Sequence, residues 1–180
     1  MRKGYHPKTS REKFPLSVEE QQKLVKKAEG KEKSLLVLML STGMHPRVLS
    51  QKKFNLTWTE DYFSWNRPKT NKKLRGSWSK AMKEGDNLGH LGKLRGKTPQ
   101  RLWQIIDELG EKCKISGVCP LQLRHTYFVN LARLGHDAFT IAHGAATDLK
   151  TIYDYYTMGM SQMKALSEED REWLKWLMEV

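Results

Sequence analysis

"LRHTYFVNLARLG", residues 123–135, sets an arginine beside a histidine at the head of an apolar helical pattern. Taken alone, Arg124 and His125 read as basic side chains at a solvated helix end. Whether they instead meet an anion depends on what the rest of the chain supplies.

Lys and Arg number 32 against 20 Asp and Glu, a formal net charge of +12. Such an excess favours a polyanionic partner, with nucleic acid ahead of an anionic membrane surface. The charge is uneven. Residues 1–100 carry 23 basic and 9 acidic side chains, whereas residues 101–180 carry 9 and 11. A basic front half beside a near-neutral back half suggests one face shaped for phosphate. At 180 residues the chain suits one domain, or a domain with a short arm, and has room for a proper core.

No apolar run approaches the roughly 20 residues of a membrane span, so no membrane partner is expected. "SLLVLML", residues 34–40, reads as a buried core segment. The first residues lack the apolar middle of a secretory signal. Cys113 and Cys119 do not form a metal-binding spacing, and reduced thiols in an intracellular protein are expected. No zinc motif, phosphate-cradling glycine loop or internal repeat is present, and neither metal nor cofactor is expected.

Residues 1–15 are polar and basic and read as a flexible arm or linker; residues 16–180 form the domain. Ser17 and Glu20 have the spacing of a capping box, predicting a helix from Val18 to about Ala28 that Gly30 ends. "KSLLVLMLSTG" predicts a buried helix closed by Gly43. "FNLTW" and "YFSWN", separated by Thr59-Glu60-Asp61, predict a hairpin, and "KKLRGSW" a third strand. Residues 79–97 read as a mobile basic loop or short helix. Thr98-Pro99 caps a helix to Lys112 with Leu102, Ile105, Ile106 and Leu109 inward, and the chain from Leu121 onward is mostly helical. Ser167 opens a last amphipathic helix, residues 167–180, with Trp173, Leu174, Trp176 and Leu177 on its apolar side. The expected fold class is mainly α with a small antiparallel β-sheet.

Five segments, in order, resemble the catalytic domain of the tyrosine recombinase (phage-type integrase) family. "LSVEEQQKLVKKAEG" resembles its first helix, "LLVLMLSTGMHPRVLS" its first-arginine helix and turn, and "NRPKTNKK" its lysine hairpin. "LRHTYFVNLARLG" resembles the second-arginine box and "TDLKTIYDYYTM" the segment of the nucleophilic tyrosine. The resemblance runs from about residue 16 to the C-terminus and implies an α+β catalytic domain that cleaves and rejoins DNA. The family's separate N-terminal DNA-clamping domain has no counterpart in these residues.

The chemistry explains why such residues would be needed together. A tyrosine attacking a phosphodiester forms a 3′-phosphotyrosine and releases a 5′-hydroxyl. Charge grows on the non-bridging oxygens, which guanidinium forks match in geometry. A lysine near the scissile bond can protonate the leaving oxygen. Arginines and lysine together can do the work of a metal.

Carried across by resemblance, Arg124 is the second arginine and Lys69 the hairpin lysine, with Lys72 and Lys73 close beside it. Where the family has its first arginine this chain has His45, followed by Arg47 two residues on; Arg47 is preferred for the role. The family's histidine three residues before the second arginine is replaced by Leu121, and His125 does not lie on that face, since helix neighbours point ~100° apart. The later histidine-or-tryptophan position falls on Ala146 or Thr147, and His143 is the nearby imidazole. Spacing from Gly135 selects Tyr156 as the nucleophile and spacing from Thr151 selects Tyr155. Tyr156 is taken first, with Tyr153 the third tyrosine of the segment.

The expected function is thus a site-specific recombinase or integrase, set by resemblance in an intracellular mobile genetic element. The alternatives are a non-catalytic DNA-binding module of the same fold and an enzyme like a type IB topoisomerase. The expected partner is double-stranded DNA, with self-association on it through the C-terminal helix.

Overall fold

Ser17 and Glu20 form the reciprocal cap that their spacing predicts. The Ser17 hydroxyl accepts from the Glu20 N–H at 3.1 Å, and the Glu20 carboxylate accepts from the Ser17 N–H at 2.9 Å. Helix α1 follows over Val18–Lys27. The structure, a computed structural model, describes residues 14–45, 47–66, 73–145 and 147–179. Gly30 does not end α1. The chain has already turned through extended Ala28 and Glu29, and Gly30 is the first residue of α2, Gly30–Thr42.

Every residue from Ser34 to Leu40 is buried, which makes α2 the central helix rather than a surface one. It packs against elements from both halves of the described chain. Gly43 closes α2 in the left-handed conformation at φ 59°, and a Cβ there would collide with the ring of Tyr127. That cap turns the chain toward α3, Arg47–Ser50.

After a 3-10 turn at Lys52–Phe54 come strands β1 (Thr57–Trp58), β2 (Tyr62–Asn66) and β3 (Lys73–Ser77), antiparallel in the order β1-β2-β3. The register pairs Trp58 with Phe63 and Trp65 with Leu74, which places these four apolar side chains on the face that packs on the core. The hairpin turn falls at Thr59–Asp61, as the sequence predicts. Residues 79–97 are more ordered than a basic loop. Two short helices, α4 (Lys80–Lys83) and α5 (Asn87–Gly92), bury Ala81, Met82 and Leu91 under α2.

The second half is helical: α6 Pro99–Lys112, α7 Pro120–Arg133, α8 Ala138–Gly144, α9 Leu149–Met163 and α10 Glu168–Met178. The inner face of α6 is the one predicted. Cys113 and Cys119 are buried, and no disulfide joins them. Helix α10 folds back on its own domain, with Leu174 and Leu177 fully buried and the Trp176 indole donating to Glu84 at 3.2 Å. No described helix is long and apolar enough to cross a membrane.

Helix α7 is laced to the start of the described chain by a buried polar network. Gln122 donates to the Phe14 carbonyl at 2.7 Å, and the Leu16 N–H donates to Thr126 Oγ1 at 3.0 Å. Phe14 and Pro15, expected within a flexible arm, are therefore tied down at this end; residues 1–13 lie outside the described residues. Further along α7, the Gln21 and Asn130 amides pair, and Arg133 donates to Asn130 and, twice, to Gln162 of α9. Burial lowers the Arg133 pKa to about 10, which leaves it charged at neutral pH with amide oxygens as its acceptors.

The same two helices touch directly at Gly159, where a Cβ would lie 2.5 Å from Ala132 Cβ and 2.7 Å from the Val129 carbonyl. Alanine in place of a helical glycine ordinarily stabilises by about 1 kcal/mol. Here Gly159→Ala should instead destabilise by about 1–3 kcal/mol through overpacking, read as a lower urea midpoint. A raised midpoint would show that α9 has room to move outward.

Candidate functional site

The packing of α7 on α9 and the turn after α2 bring His45 near Arg124 and Arg47 and set Tyr155 and Tyr156 against the cluster on α7. Arg124 lies in the first half of α7, half-buried, and its guanidinium reaches the ends of two other helices. One Nη donates to the carbonyl of Gly43, the cap of α2, and the other to the carbonyl of Ala145, the cap of α8, at 3.0 Å. Carbonyls at helix C-termini carry partial negative charge, so a cation there is stabilising. The guanidinium also stands 5.1 Å from the centre of the Phe128 ring.

Tyr155 of α9 also packs near Phe128, with ring centres 5.9 Å apart. Tyr155 stacks on His125 at 4.3 Å with an interplanar angle of 20°, and its hydroxyl lies 3.0 Å from His125 Nδ1. His125 therefore faces the tyrosine helix. The ~100° offset between neighbours that keeps it off the face of Leu121 is what directs it to α9. Sequence reasoning passed over this residue as a site member, and the signal was present: an imidazole next to Arg124 on a helix required to meet the tyrosine segment.

Tyr156 is half-buried and packs against the cluster around Phe128, while Tyr153 is exposed. Tyr127 is the fourth tyrosine here. Burial raises its pKa to about 12, and its ring fills the space left by the missing side chain of Gly43. It is a packing residue that holds its proton.

His45 sits in the turn between α2 and α3, near Arg124 and Arg47. Its pKa is lowered from 6.5 to about 4, by burial first and then by the two guanidinium groups. The Arg47 N–H donates to His45 Nδ1 at 3.2 Å, which leaves the ring proton on Nε2. At neutral pH His45 is an uncharged hydrogen-bonding group, and Arg47, exposed at the head of α3, is the cation of this turn.

His143 is exposed near the end of α8, two residues before the carbonyl that Arg124 holds, and stands outside the ring cluster. Of the two positions for the later histidine or tryptophan, Thr147 is half-buried with its N–H donating to Ala142, and Ala146 lies outside the described residues. Lys69 and Lys72 also lie outside them. The strand ends flanking that segment, Asn66 and Lys73, are register partners in β2 and β3. No group of three or more His, Cys, Asp or Glu among the described residues could hold a metal ion.

Protonation of His45 should make stability pH-dependent. The unfolded chain binds this proton near pH 6.5 and the folded chain only near 4, so in that window protons favour the unfolded state. Stability should fall as pH is lowered from about 6.5 to about 4, and this residue adds no further loss below. Urea midpoints across the window should fall less steeply for His45→Gln than for the parent. Equal slopes would show that His45 is not held neutral by its surroundings.

No family model matches the sequence, and no curated protein matches it significantly. Solved structures do match in fold. The XerA recombinase aligns with a TM-score of 0.67 and 18% identity, over 91% of this chain and 65% of that one. The XerH site-specific recombinase, in a post-cleavage complex with its palindromic difH substrate, aligns at 0.64 and 14%, over 84% of this chain and 51% of that one. The integrase of mycobacterium phage Brujita aligns at 0.57 and 14%, over 94% and 65%. The chain thus spans about half to two thirds of the length of these proteins. Its fold is that of the tyrosine recombinase catalytic domain, mostly helical with a small three-stranded antiparallel sheet.

Proposed function

We propose that the chain is a site-specific DNA strand-exchange enzyme, a recombinase or integrase that cuts and rejoins duplex DNA through a 3′-phosphotyrosyl intermediate. The observation that carries this reading is the meeting of α7 and α9: Arg124 and Tyr155 both lie near one ring, Phe128, at 5.1 and 5.9 Å. In this reading the guanidinium and a phenol of the tyrosine helix address a single phosphate.

In this reading Arg124 and Arg47 bind the non-bridging oxygens, where charge grows during attack. Their bidentate geometry suits those two oxygens better than an ammonium would. Lys69, from the segment joining β2 and β3, gives a proton to the leaving 5′ oxygen. His143, on the rim, donates a hydrogen bond to the DNA backbone. The nucleophile is Tyr155 or Tyr156, and the hydrogen bond to His125 favours Tyr155. Attack moves the phosphodiester from the 5′ oxygen to the phenol, conserving its energy, so a different 5′-hydroxyl can reverse the step without cofactor.

Double-stranded DNA is the proposed partner. The XerH structures are complexes of that protein with its DNA substrate before and after cleavage. Strand exchange requires more than one protomer on the DNA. Helix α10 packs on its own domain through Leu174 and Leu177, and its remaining surface is the proposed element of self-association on DNA.

A second reading, a DNA-binding module without chemistry, draws on the uncharged His45 and on Leu121. Covalent trapping separates the two. Mixed with a pool of nicked duplexes of random sequence, the chain should form a protein–DNA band that survives denaturation. Arg124→Ala should reduce the rate of its formation by about 10²–10³-fold, as loss of one oxyanion donor does elsewhere, and Arg124→Lys should recover little of it. DNA binding with no covalent band would favour the module. Rapid relaxation of supercoiled DNA without exchanged products would favour a topoisomerase of the same chemistry.

The uneven charge carries a separate expectation. If about six phosphates are neutralised, affinity for duplex DNA should drop by about 10³-fold between 50 and 200 mM salt, with little dependence on base sequence. A flat salt response would point to another partner.

A further inference from the structure

We propose that Arg133 and Gln162 are a positioning pair for cleavage: their hydrogen bonds fix the tyrosine helix α9 on α7, so that the nucleophile meets the phosphate held at Arg124. The proposal rests on the strand-exchange reading and goes beyond it by assigning the aim of the tyrosine to two residues outside the ring cluster.

Helix α9 meets α7 at three levels. Tyr155 stacks on His125 at 4.3 Å. Gly159 lets the two backbones close, since a Cβ there would lie 2.5 Å from Ala132 Cβ. At the far end, Arg133 Nε and Nη2 donate to a single oxygen, Gln162 Oε1, at 3.0 and 2.6 Å. Residues 155 and 162 share one stripe of α9, because seven residues of helix return to within ~20° of the same direction. The first level is the site itself, where the phenol must turn from its partner to a phosphate. The second is a steric stop that limits approach but not tilt. The third is directional and lies away from the reacting atoms, so it persists while chemistry proceeds.

Arg133 is itself anchored. Nη1 donates to Asn130 Oδ1 at 2.9 Å and to the Leu16 carbonyl at 3.5 Å, and Asn130 exchanges amide hydrogen bonds with Gln21 of α1. The guanidinium thus ties α9 to α1 as well as to α7, and each of these acceptors is a neutral oxygen. Exchanging buried charged groups for apolar ones of similar volume is often neutral or stabilising, so stability alone does not call for an arginine among amides. A rigid fork of N–H groups on one oxygen supplies direction instead. The lever is short: Tyr155 lies seven residues, about 10 Å along the axis, from Gln162. A tilt of about 6° about that anchor moves the ring by about 1 Å, and a misplacement of about 1 Å can cost about 10²-fold in rate.

The test uses the whole chain, nicked duplex DNA and the variants Arg133→Met, Gln162→Met, the two combined, and Gln162→Glu. In the double variant both hydrogen-bonding partners become apolar together, which costs little, and Asn130 Oδ1 and the Leu16 carbonyl keep the Gln21 amide as their donor. Its thermal midpoint and duplex affinity should therefore stay close to the parent's. At saturating DNA its rate of covalent-complex formation should fall by about 10²-fold. Each single variant should lose as much as the double, because the two residues act through one contact. Gln162→Glu, which returns an acceptor oxygen to the guanidinium, should keep the parental rate. Backbone amides of α9 should exchange faster in the double variant while those of α6 keep parental protection.

A parental rate in the double variant would overturn the proposal, as would single losses that multiply in the double. Weakened duplex affinity with a parental rate at saturation would place the pair in DNA binding and overturn it too, and so would a Gln162→Glu loss equal to that of Gln162→Met. Should the double variant fail to fold, Gln162→Met and Gln162→Glu, at a half-buried position, decide between the same outcomes. A parent chain that forms no covalent complex would instead overturn the strand-exchange reading, and this proposal with it; a parent that forms one keeps that reading whatever the variants do.

Discussion

The grip of Arg124 on two helix ends is the contact on which the candidate site depends. Gly43 and Ala145 lie 81 and 21 residues from Arg124 in sequence. Their carbonyls cap α2 and α8, and a single guanidinium draws both to α7. The arrangement works because each carbonyl belongs to a helix terminus, where a cation is favoured. The turn that carries His45 and Arg47, and the end of α8 that carries His143, are therefore both placed by the residue that would bind the phosphate. Loss of Arg124 would remove a cation and also release two of the surfaces around it.

Helix α7 serves two opposed purposes with two faces. One face turns Arg124, His125 and Phe128 toward α9 and the site. The other presents Gln122, Thr126, Asn130 and Arg133 to the entering chain at Phe14 and Leu16, and to Gln162 of α9. Buried polar groups are costly unless paired, and the network pairs most of them with partners distant in sequence, the Gln122 Oε1 being the exception. It thereby fixes α7 against both ends of the domain, and the close approach at Gly159 fixes α9 against α7. The position of Tyr155 relative to Arg124 follows from these constraints rather than from the loop between α8 and α9.

Much of the fold was legible because local chemistry marked it. The capping box at Ser17, Gly43 after an apolar run, the hairpin around Thr59–Asp61 and the Thr98 cap are each short-range signals, and each appears where expected. Gly30 misled because a glycine between two helices can close one or open the next, and sequence spacing does not distinguish them. The short helices α4 and α5 were obscured by glycine and lysine; they are held by burial beneath α2, a tertiary effect. In the site, Arg124 stood out through its setting, whereas the burial that keeps His45 uncharged is invisible in one dimension. The contact that His125 makes was hidden for a similar reason. Its partner, Tyr155, lies 30 residues away on another helix, and only the packing of α7 against α9 shows which of three nearby tyrosines it meets.

A crystal structure of the chain bound to a nicked duplex tests the central claim most directly. The account predicts a backbone phosphate seated against the Arg124 guanidinium, with Tyr155 Oη facing its phosphorus opposite the 5′ oxygen. DNA lying on a face that leaves Arg124 and Tyr155 without a phosphate between them would contradict it.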